Sequence, residues 1–346
     1  MNFTETLIYW YSINKRDLPW RRTKDPYKIW LSEIIMQQTQ VAQGTPYYAT
    51  FVSKYPTVFD LADADEEAVL KLWQGLGYYS RARNLHYSAK YIVDELKGEF
   101  PIPYKELLKL KGVGDYTASA IASICYDEPA AVVDGNVYRV LSRYFGVEIP
   151  INSSKGIKCF KELAQSLLPE DGIGNYNQAI MDFGSRQCKP QSPDCGICPL
   201  NTRCAALKND QIKDLPVKIN KVKITKKHIS FMVLISDDGK IILEKRTEKG
   251  IWMNLYQFPL VETKKRLSIS TFKSNDEIKQ ILSDKEYSIT LYNDQEIIHK
   301  LSHQHLYTSF WIVTVNELPD NAIEISTIHD FPVPVLINNF IEAFGF

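Results

Sequence analysis

The chain has 346 residues, of which 45% are hydrophobic and 24% charged, the balance of a folded globular protein long enough for two domains and a core without disulfide staples. No window approaches the roughly 18 apolar residues of a membrane span, and Met1–Trp20 has no basic-then-apolar leader pattern, so a cytoplasmic rather than membrane or secreted protein is expected. Net charge is zero, yet residues 1–227 carry 30 basic against 25 acidic side chains and residues 228–346 carry 11 against 16, a polarity that hints at an anion met by one part of the chain.

The first 205 residues read as mostly helical. Trp30-Leu-Ser-Glu-Ile-Ile-Met36 predicts a helix in which Glu33 is surrounded by Trp30, Leu31, Ile34, Ile35 and Met36. Desolvation would raise the pKa of such a carboxyl and keep it protonated near neutral pH, ready to act as a general acid. The competing reading is a Glu on the solvated side of an amphipathic helix. Glu67–Trp73 and Val137–Phe145 show apolar residues at helical spacing, and Thr117–Cys125 is small and apolar on most faces, as a central buried helix would be.

Between these lies Leu110-Lys-Gly-Val-Gly-Asp-Tyr-Thr-Ala118. Two glycines one residue apart permit a tight turn with outward N–H groups, and a helix starting near Tyr116 adds its anion-favouring end. This is the outline of a helix–hairpin–helix phosphate clamp around Lys111, Gly112 and Gly114. Alone, it reads as an ordinary helix–helix turn. Asp134 follows the apolar Ala130–Val133 and precedes Gly-Asn-Val-Tyr, which places it at a helix N-cap. The helix dipole should lower its pKa and hold it ionised. One neutral and one ionised carboxyl is the division of labour that cleaves glycosidic bonds through an oxocarbenium-like transition state.

The cysteines cluster. Cys188, Cys195, Cys198 and Cys204 follow Cys-x6-Cys-x2-Cys-x5-Cys, whereas Cys125 and Cys159 stand alone. Four thiolates in one short loop suit a metal centre. A single close pair flanked by singletons favours a [4Fe–4S] cluster over zinc, which usually shows two CxxC pairs. Lys208–Lys227 holds seven lysines, two aspartates and Pro216 with no helical period, and reads as a basic linker able to follow a phosphate backbone. From His228 the texture is β: His228–Ile235 and Ile241–Arg246 flank an Asp237-Asp238-Gly239 turn, followed by Tyr287–Tyr292, Ile297–Ser302 and His305–Val313.

Together, the GVG hairpin, the Asp134 helix start and the cysteine loop resemble the helix–hairpin–helix DNA glycosylases of the endonuclease III superfamily. Leu31-Ser-Glu-Ile-Ile-Met-Gln-Gln-Thr-Gln40 and the extra C-terminal domain are similar to those of the adenine DNA glycosylases of the MutY type. The resemblance implies a multi-domain fold: a mostly α helix–hairpin–helix glycosylase domain over 1–207 with an iron–sulfur loop at 188–204, a linker over 208–227, and an α+β Nudix-like domain over 228–346.

The implied function is removal of adenine mispaired with 8-oxoguanine or guanine in duplex DNA; a monomer is the default expectation. Glu33 matches the general acid and Asp134 the carboxylate that stabilises the sugar cation. Tyr116 stands where bifunctional relatives carry a lysine; having no amine, it cannot form a Schiff base, so monofunctional excision is expected. Asn136 matches a residue near the sugar. Arg16, Leu18, Trp20, Arg21 and Gln178 match the adenine pocket, and Gln38 and Tyr78 the side chains that enter the duplex as the base leaves the stack. Leu301-Ser302-His303 matches the lesion-reading loop, with Leu301 where relatives often have Phe. Residues 228–346 contain no glutamate-rich Nudix box, so this domain is expected to recognise rather than hydrolyse. The alternatives are an endonuclease III-like glycosylase/lyase for oxidised pyrimidines and a non-catalytic iron–sulfur DNA-binding protein.

Overall fold

A computed structural model describes residues 1–219, 224–282 and 286–346. The chain forms two compact units, Met1–Ala64 with Arg83–Asn220, and Asp65–Ala82 with Lys221–Phe346. Among the described residues no helix is long and apolar enough to cross a membrane.

The first unit is helical. The Pro26–Met36 helix starts where Asp25 caps the Tyr27 N–H and Pro26 occupies the first turn, which has no use for its missing donor. The Asp115–Tyr126 helix buries Thr117 to Ser123 without a break. Its small side chains let the Pro26–Met36 and Ile173–Arg186 helices both pack closely on it. The Gly135–Phe145 helix is capped by Asp134 and ends at Gly146 in left-handed geometry. Its apolar stripe, Val137, Val140 and Leu141, joins Phe3, Leu7, Phe160 and Phe183 in one core.

Most of the expected linker belongs to this unit. Ile151 N–H donates to the Val217 carbonyl at 3.0 Å, and Asn152 exchanges two hydrogen bonds with the Ile219 backbone at 2.6 and 2.8 Å. Residues 220–223 of the linker lie outside the described residues. The first strand then starts at Thr225, three positions before His228.

The second unit contains β1 (Thr225–Ser236), β2 (Lys240–Ile241), β3 (Glu244–Lys245), β4 (Tyr256–Gln257), β5 (Leu260–Thr263), β6 (Tyr287–Leu291), β7 (Ile297–Lys300), β8 (Gln304–Val315) and β9 (Ile323–Glu324). Among the described residues seven strands form a mixed sheet in the order β6-β8-β1-β2-β9, with β5 also on β1 and β7 also on β8. β1 and β8 run parallel, in register from Thr225↔Gln304 to Ser236↔Val315. Their middles are buried on both faces, as central parallel strands must be. On one face Phe340 of the Val335–Phe344 helix stacks on Phe310 at 4.1 Å, and on the other Phe272 meets Trp311 at 4.4 Å.

The single strand expected over Ile241–Arg246 is two. Ile242 and Leu243 lie outside any strand, and β3 pairs with β4 rather than with the main sheet.

Residues 65–82 were not expected in this unit. The helix Glu66–Trp73 is tied down by Glu67, whose carboxylate accepts from Lys245 Nζ at 2.7 Å and Tyr256 OH at 3.0 Å. Gln74 donates to Asn338 Oδ1 at 2.7 Å and accepts from Val333 N–H at 3.1 Å. The Tyr79 hydroxyl donates to the Val333 carbonyl at 3.2 Å.

Candidate active site

Glu33 sits three residues from the end of the Pro26–Met36 helix, only 9% exposed. Burial pushes its carboxyl from 4.5 up to about 7, and the nearby Asp134 carboxylate adds to the rise. A hydrogen bond from Tyr116 and the Arg21 charge pull the other way and are outweighed. The solvated-face reading of Glu33 is therefore set aside, and the expected environment of a neutral acid is present.

Asp134 is the helix cap that its surroundings predict. Oδ1 accepts from the Asn136 and Val137 N–H groups, both at 2.8 Å, and Oδ2 accepts from Asn136 Nδ2 at 2.8 Å. The expected fall in its pKa does not occur. Burial raises it, and this exceeds the lowering by those hydrogen bonds and by Arg139. The dipole argument considered the helix end and not the desolvation of the same oxygens.

Tyr116, in the first turn of the Asp115–Tyr126 helix, feels the charges of both carboxyls. Burial raises its pKa well above the usual range, and the charges of Glu33 and Asp134 raise it further. Its hydroxyl therefore remains a donor. It reaches Glu33 and also lies 3.3 Å from Met181 Sδ.

The arginines expected in a pocket wall have a partner that sequence reasoning missed. Asp182 is fully buried and accepts a fork from each: Arg16 through Nε at 3.0 Å and Nη2, Arg21 through Nη1 at 2.6 Å and Nη2 at 2.9 Å. These cations hold its carboxyl below the usual range, against the effect of burial. Arg21 lies over the Tyr11 ring at 5.6 Å, and Tyr11 donates to Gln178 Oε1 at 2.7 Å. A carboxylate between Met181 and Phe183 on a buried helix was the available signal. Leu18 and Trp20 are buried, with Trp20 edge-on to Tyr48 at 5.2 Å. A cavity of about 140 Å³ opens beside Arg21 and Gln178, lined also by Lys24 and Asn175. Neither Glu33 nor Asp134 lines it, so it is not where the two carboxyls would act.

Asn136 is braced by two further residues. Arg139 donates to Asn136 Oδ1 at 2.8 Å, to the Gly184 carbonyl at 2.6 Å and to the Cys188 carbonyl at 2.7 Å. Gly184 is required by proximity, because a Cβ there would lie 2.7 Å from Asn136 Cβ and 2.8 Å from its carbonyl oxygen.

The cysteine loop begins at that same Cys188. Arg143 holds it from below, donating to the carbonyls of Lys189 at 2.7 Å and Pro190 at 3.0 Å. All four thiols are partly buried and unbridged. Burial pushes Cys198 up to about 11, and the charges of Cys188, Cys204 and Cys195 push it further, as neighbouring thiols of one short loop do. Among the described residues no three such side chains converge as they would on one ion. A cubane gives each thiolate its own iron and needs a wider frame. The loop fits the group.

The hairpin Lys111–Gly114 is exposed apart from Val113. Gly112 has φ +83°, and a Cβ there would meet Asn84 Cβ at 2.8 Å, so glycine is needed twice over. The Lys111 carbonyl accepts from Ser88 Oγ at 2.9 Å, which anchors the turn. Gln38 is exposed at φ +54°. In the second unit, Tyr78 is 49% exposed at φ +46°, and its hydroxyl lies 2.7 Å from Ser302 Oγ. Leu301 N–H donates to the Gln304 carbonyl at 2.8 Å, which closes a turn that presents Ser302 and His303 to solvent.

Comparison with known proteins agrees with this layout. Residues 31–165 match the HhH-GPD superfamily of base excision DNA repair proteins, residues 188–204 the iron–sulfur binding domain of endonuclease III, and residues 230–343 the NUDIX domain. The chain is 36% identical over 313 residues to the adenine DNA glycosylase of Buchnera aphidicola subsp. Baizongia pistaciae, covering 90% of this chain and 86% of the relative. It is 34% identical over 351 residues to that of Buchnera aphidicola subsp. Schizaphis graminum, covering 99% and 98%. The solved structure of a thermostable thymine-DNA glycosylase superposes with a TM-score of 0.56 at 31% identity, over 60% of this chain and 95% of that one. A helical glycosylase unit with a [4Fe–4S] loop, a Nudix-like unit and this level of identity over nearly the whole length show that the chain belongs to the adenine DNA glycosylase family of base excision repair hydrolases.

Proposed function

We propose that the protein excises adenine paired with 8-oxoguanine, or with guanine, from double-stranded DNA by monofunctional hydrolysis, acting as a monomer. The observation that carries this reading is the buried Glu33 carboxyl at about 7 beside the triply hydrogen-bonded Asp134. With an adenine flipped from the stack, protonated Glu33 gives its proton to a ring nitrogen of the leaving base. The C1′–N bond breaks, its electron pair leaves with adenine, and positive charge grows on the sugar. Asp134 stabilises that cation, held in place by the Asn136 side chain and backbone. Water then adds to C1′, and the proton it releases returns to a carboxylate.

Tyr116 supports the monofunctional assignment, since it has no amine for a Schiff base. Arg16, Leu18, Trp20, Arg21 and Gln178 would shape the adenine pocket. Gln38 and Tyr78 would fill the stack after flipping. Lys111, Gly112 and Gly114 would hold a phosphate. Cys188, Cys195, Cys198 and Cys204 would ligate the cluster, which would shape the loop that Arg139 and Arg143 hold. In the C-terminal unit, Leu301, Ser302 and His303 would read the oxidised guanine. Ser302 can exchange a hydrogen bond with a purine edge, and Leu301 offers apolar contact without an aromatic face.

A single-turnover assay on duplexes with adenine opposite 8-oxoguanine tests this reading. Strand cleavage at the adenine should appear only after alkali and vanish in Glu33→Gln, with DNA binding retained. Cleavage without alkali together with a borohydride-trapped adduct would replace it with a lyase. No excision by protein containing its iron would replace it with a binding protein.

A further inference from the structure

The unit of residues 65–82 and 221–346 carries 19 acidic against 17 basic side chains, so any grip on a polyanion in it must come from local arrangement. The strand registers supply one. β7, β8 and β1 are neighbours, and Lys300↔His305 and Lys226↔His305 are direct partners. In-register partners point to the same face, and strands lie about 4.8 Å apart, so the three side chains form a row roughly 10 Å long. Lys226 and Lys300 are exposed and His305 half-exposed, whereas Leu306, on the opposite face, is buried.

Neither lysine forms an ion pair among the described residues. Two carboxylates near these strands are taken: Glu262 of β5 by Lys227 at 2.8 Å, and Glu296, just before β7, by His228 Nδ1 at 2.7 Å. Two lysines on one face, with no carboxylate between them in the row, favour an anionic ligand. The next row along the face is an aromatic floor. His228 stacks on Tyr307 at 5.1 Å, and Lys226 Nζ lies 5.8 Å from the Tyr307 ring centre. The row is also tied to the exposed turn beside it, because Lys300 and Gln304 bracket Leu301–His303 and the Thr225 N–H donates to the His303 carbonyl at 3.1 Å.

We infer that Lys226, His305 and Lys300 grip the phosphates of the DNA strand whose oxidised base the Leu301–His303 turn meets. This inference rests on the function proposed above for that turn. Each lysine–phosphate contact releases counterions and adds about 0.9 to the slope of log affinity against log salt.

The test measures binding of a fluorescent duplex with adenine opposite 8-oxoguanine by full-length protein carrying Glu33→Gln to halt turnover. Adding Lys226→Ala with Lys300→Ala should lower the slope by about 1.8. The affinity lost between 50 and 200 mM salt should then be about twelvefold smaller than in the parent. Lys226→Arg with Lys300→Arg should restore the slope. An unchanged slope in a double alanine variant that unfolds at the parent's temperature overturns the inference; if that variant unfolds earlier, the same reading is made on Lys226→Gln with Lys300→Gln. Failure of the functional reading is seen separately, as absence of excision by protein with Glu33 intact.

Discussion

The hydrogen bond from Tyr116 to Glu33 can be tested through the pH dependence of excision. Burial carries the Glu33 carboxyl from 4.5 to about 7, equivalent to roughly 3 kcal/mol at 1.36 kcal/mol per unit. A general acid must be protonated, so the single-turnover rate should be level at low pH and fall as pH passes about 7. Tyr116 is the largest influence opposing that rise, because its hydroxyl stabilises the ionised carboxylate. Hydrogen bonds to charged groups contribute about 1.5–3 kcal/mol net, or about one to two pH units. In Tyr116→Phe the ring remains and the donor is lost, so the falling limb should move up by about one unit or more. The assay is alkali-revealed cleavage at saturating enzyme from pH 5.5 to 9. A limb that stays in place or moves down refutes the assigned hydrogen bond. A wild-type rate that stays level to pH 9 refutes Glu33 as the acid. The same shift bears on stability: the folded value lies above the unfolded one, so this contribution is fully present below about 4.5 and is lost as pH rises through about 7.

Other expectations follow from the supporting shell. Asp182→Asn leaves two half-buried guanidinium groups without their carboxylate and should destabilise the helical unit by about 3–5 kcal/mol; a loss under 1 kcal/mol in urea titration would show that the pairs are dispensable. Gly184→Ala pushes a methyl against Asn136, so single-turnover excision should fall by about a hundredfold with DNA affinity nearly kept, and equal losses in both would point to general misfolding. Cys198→Ser should lose iron and brown colour on purification; a full iron complement in that variant would remove Cys198 from the ligand set.

Much of the site was legible because its signals are local. Four cysteines in one loop, glycines around a turn, an aspartate before a helix and a glutamate among apolar neighbours are patterns of adjacent residues, and each is found in the element it predicts. What could not be read depends on residues far apart in the chain. Asp182 is 161 positions from Arg21, and nothing near either shows that they meet. The raised pKa of Asp134 reflects what covers the helix end, whereas the sequence displays only the end itself. Residues 65–82 join the C-terminal unit through Glu67, Gln74 and Tyr79, whose partners lie beyond residue 240. The sequence by itself therefore determined the chemistry available: two carboxyls, a tyrosine in place of an amine and a thiolate loop. The tertiary structure decided how those groups ionise and what braces them, because desolvation and long-range pairing exist only once distant segments exclude water together.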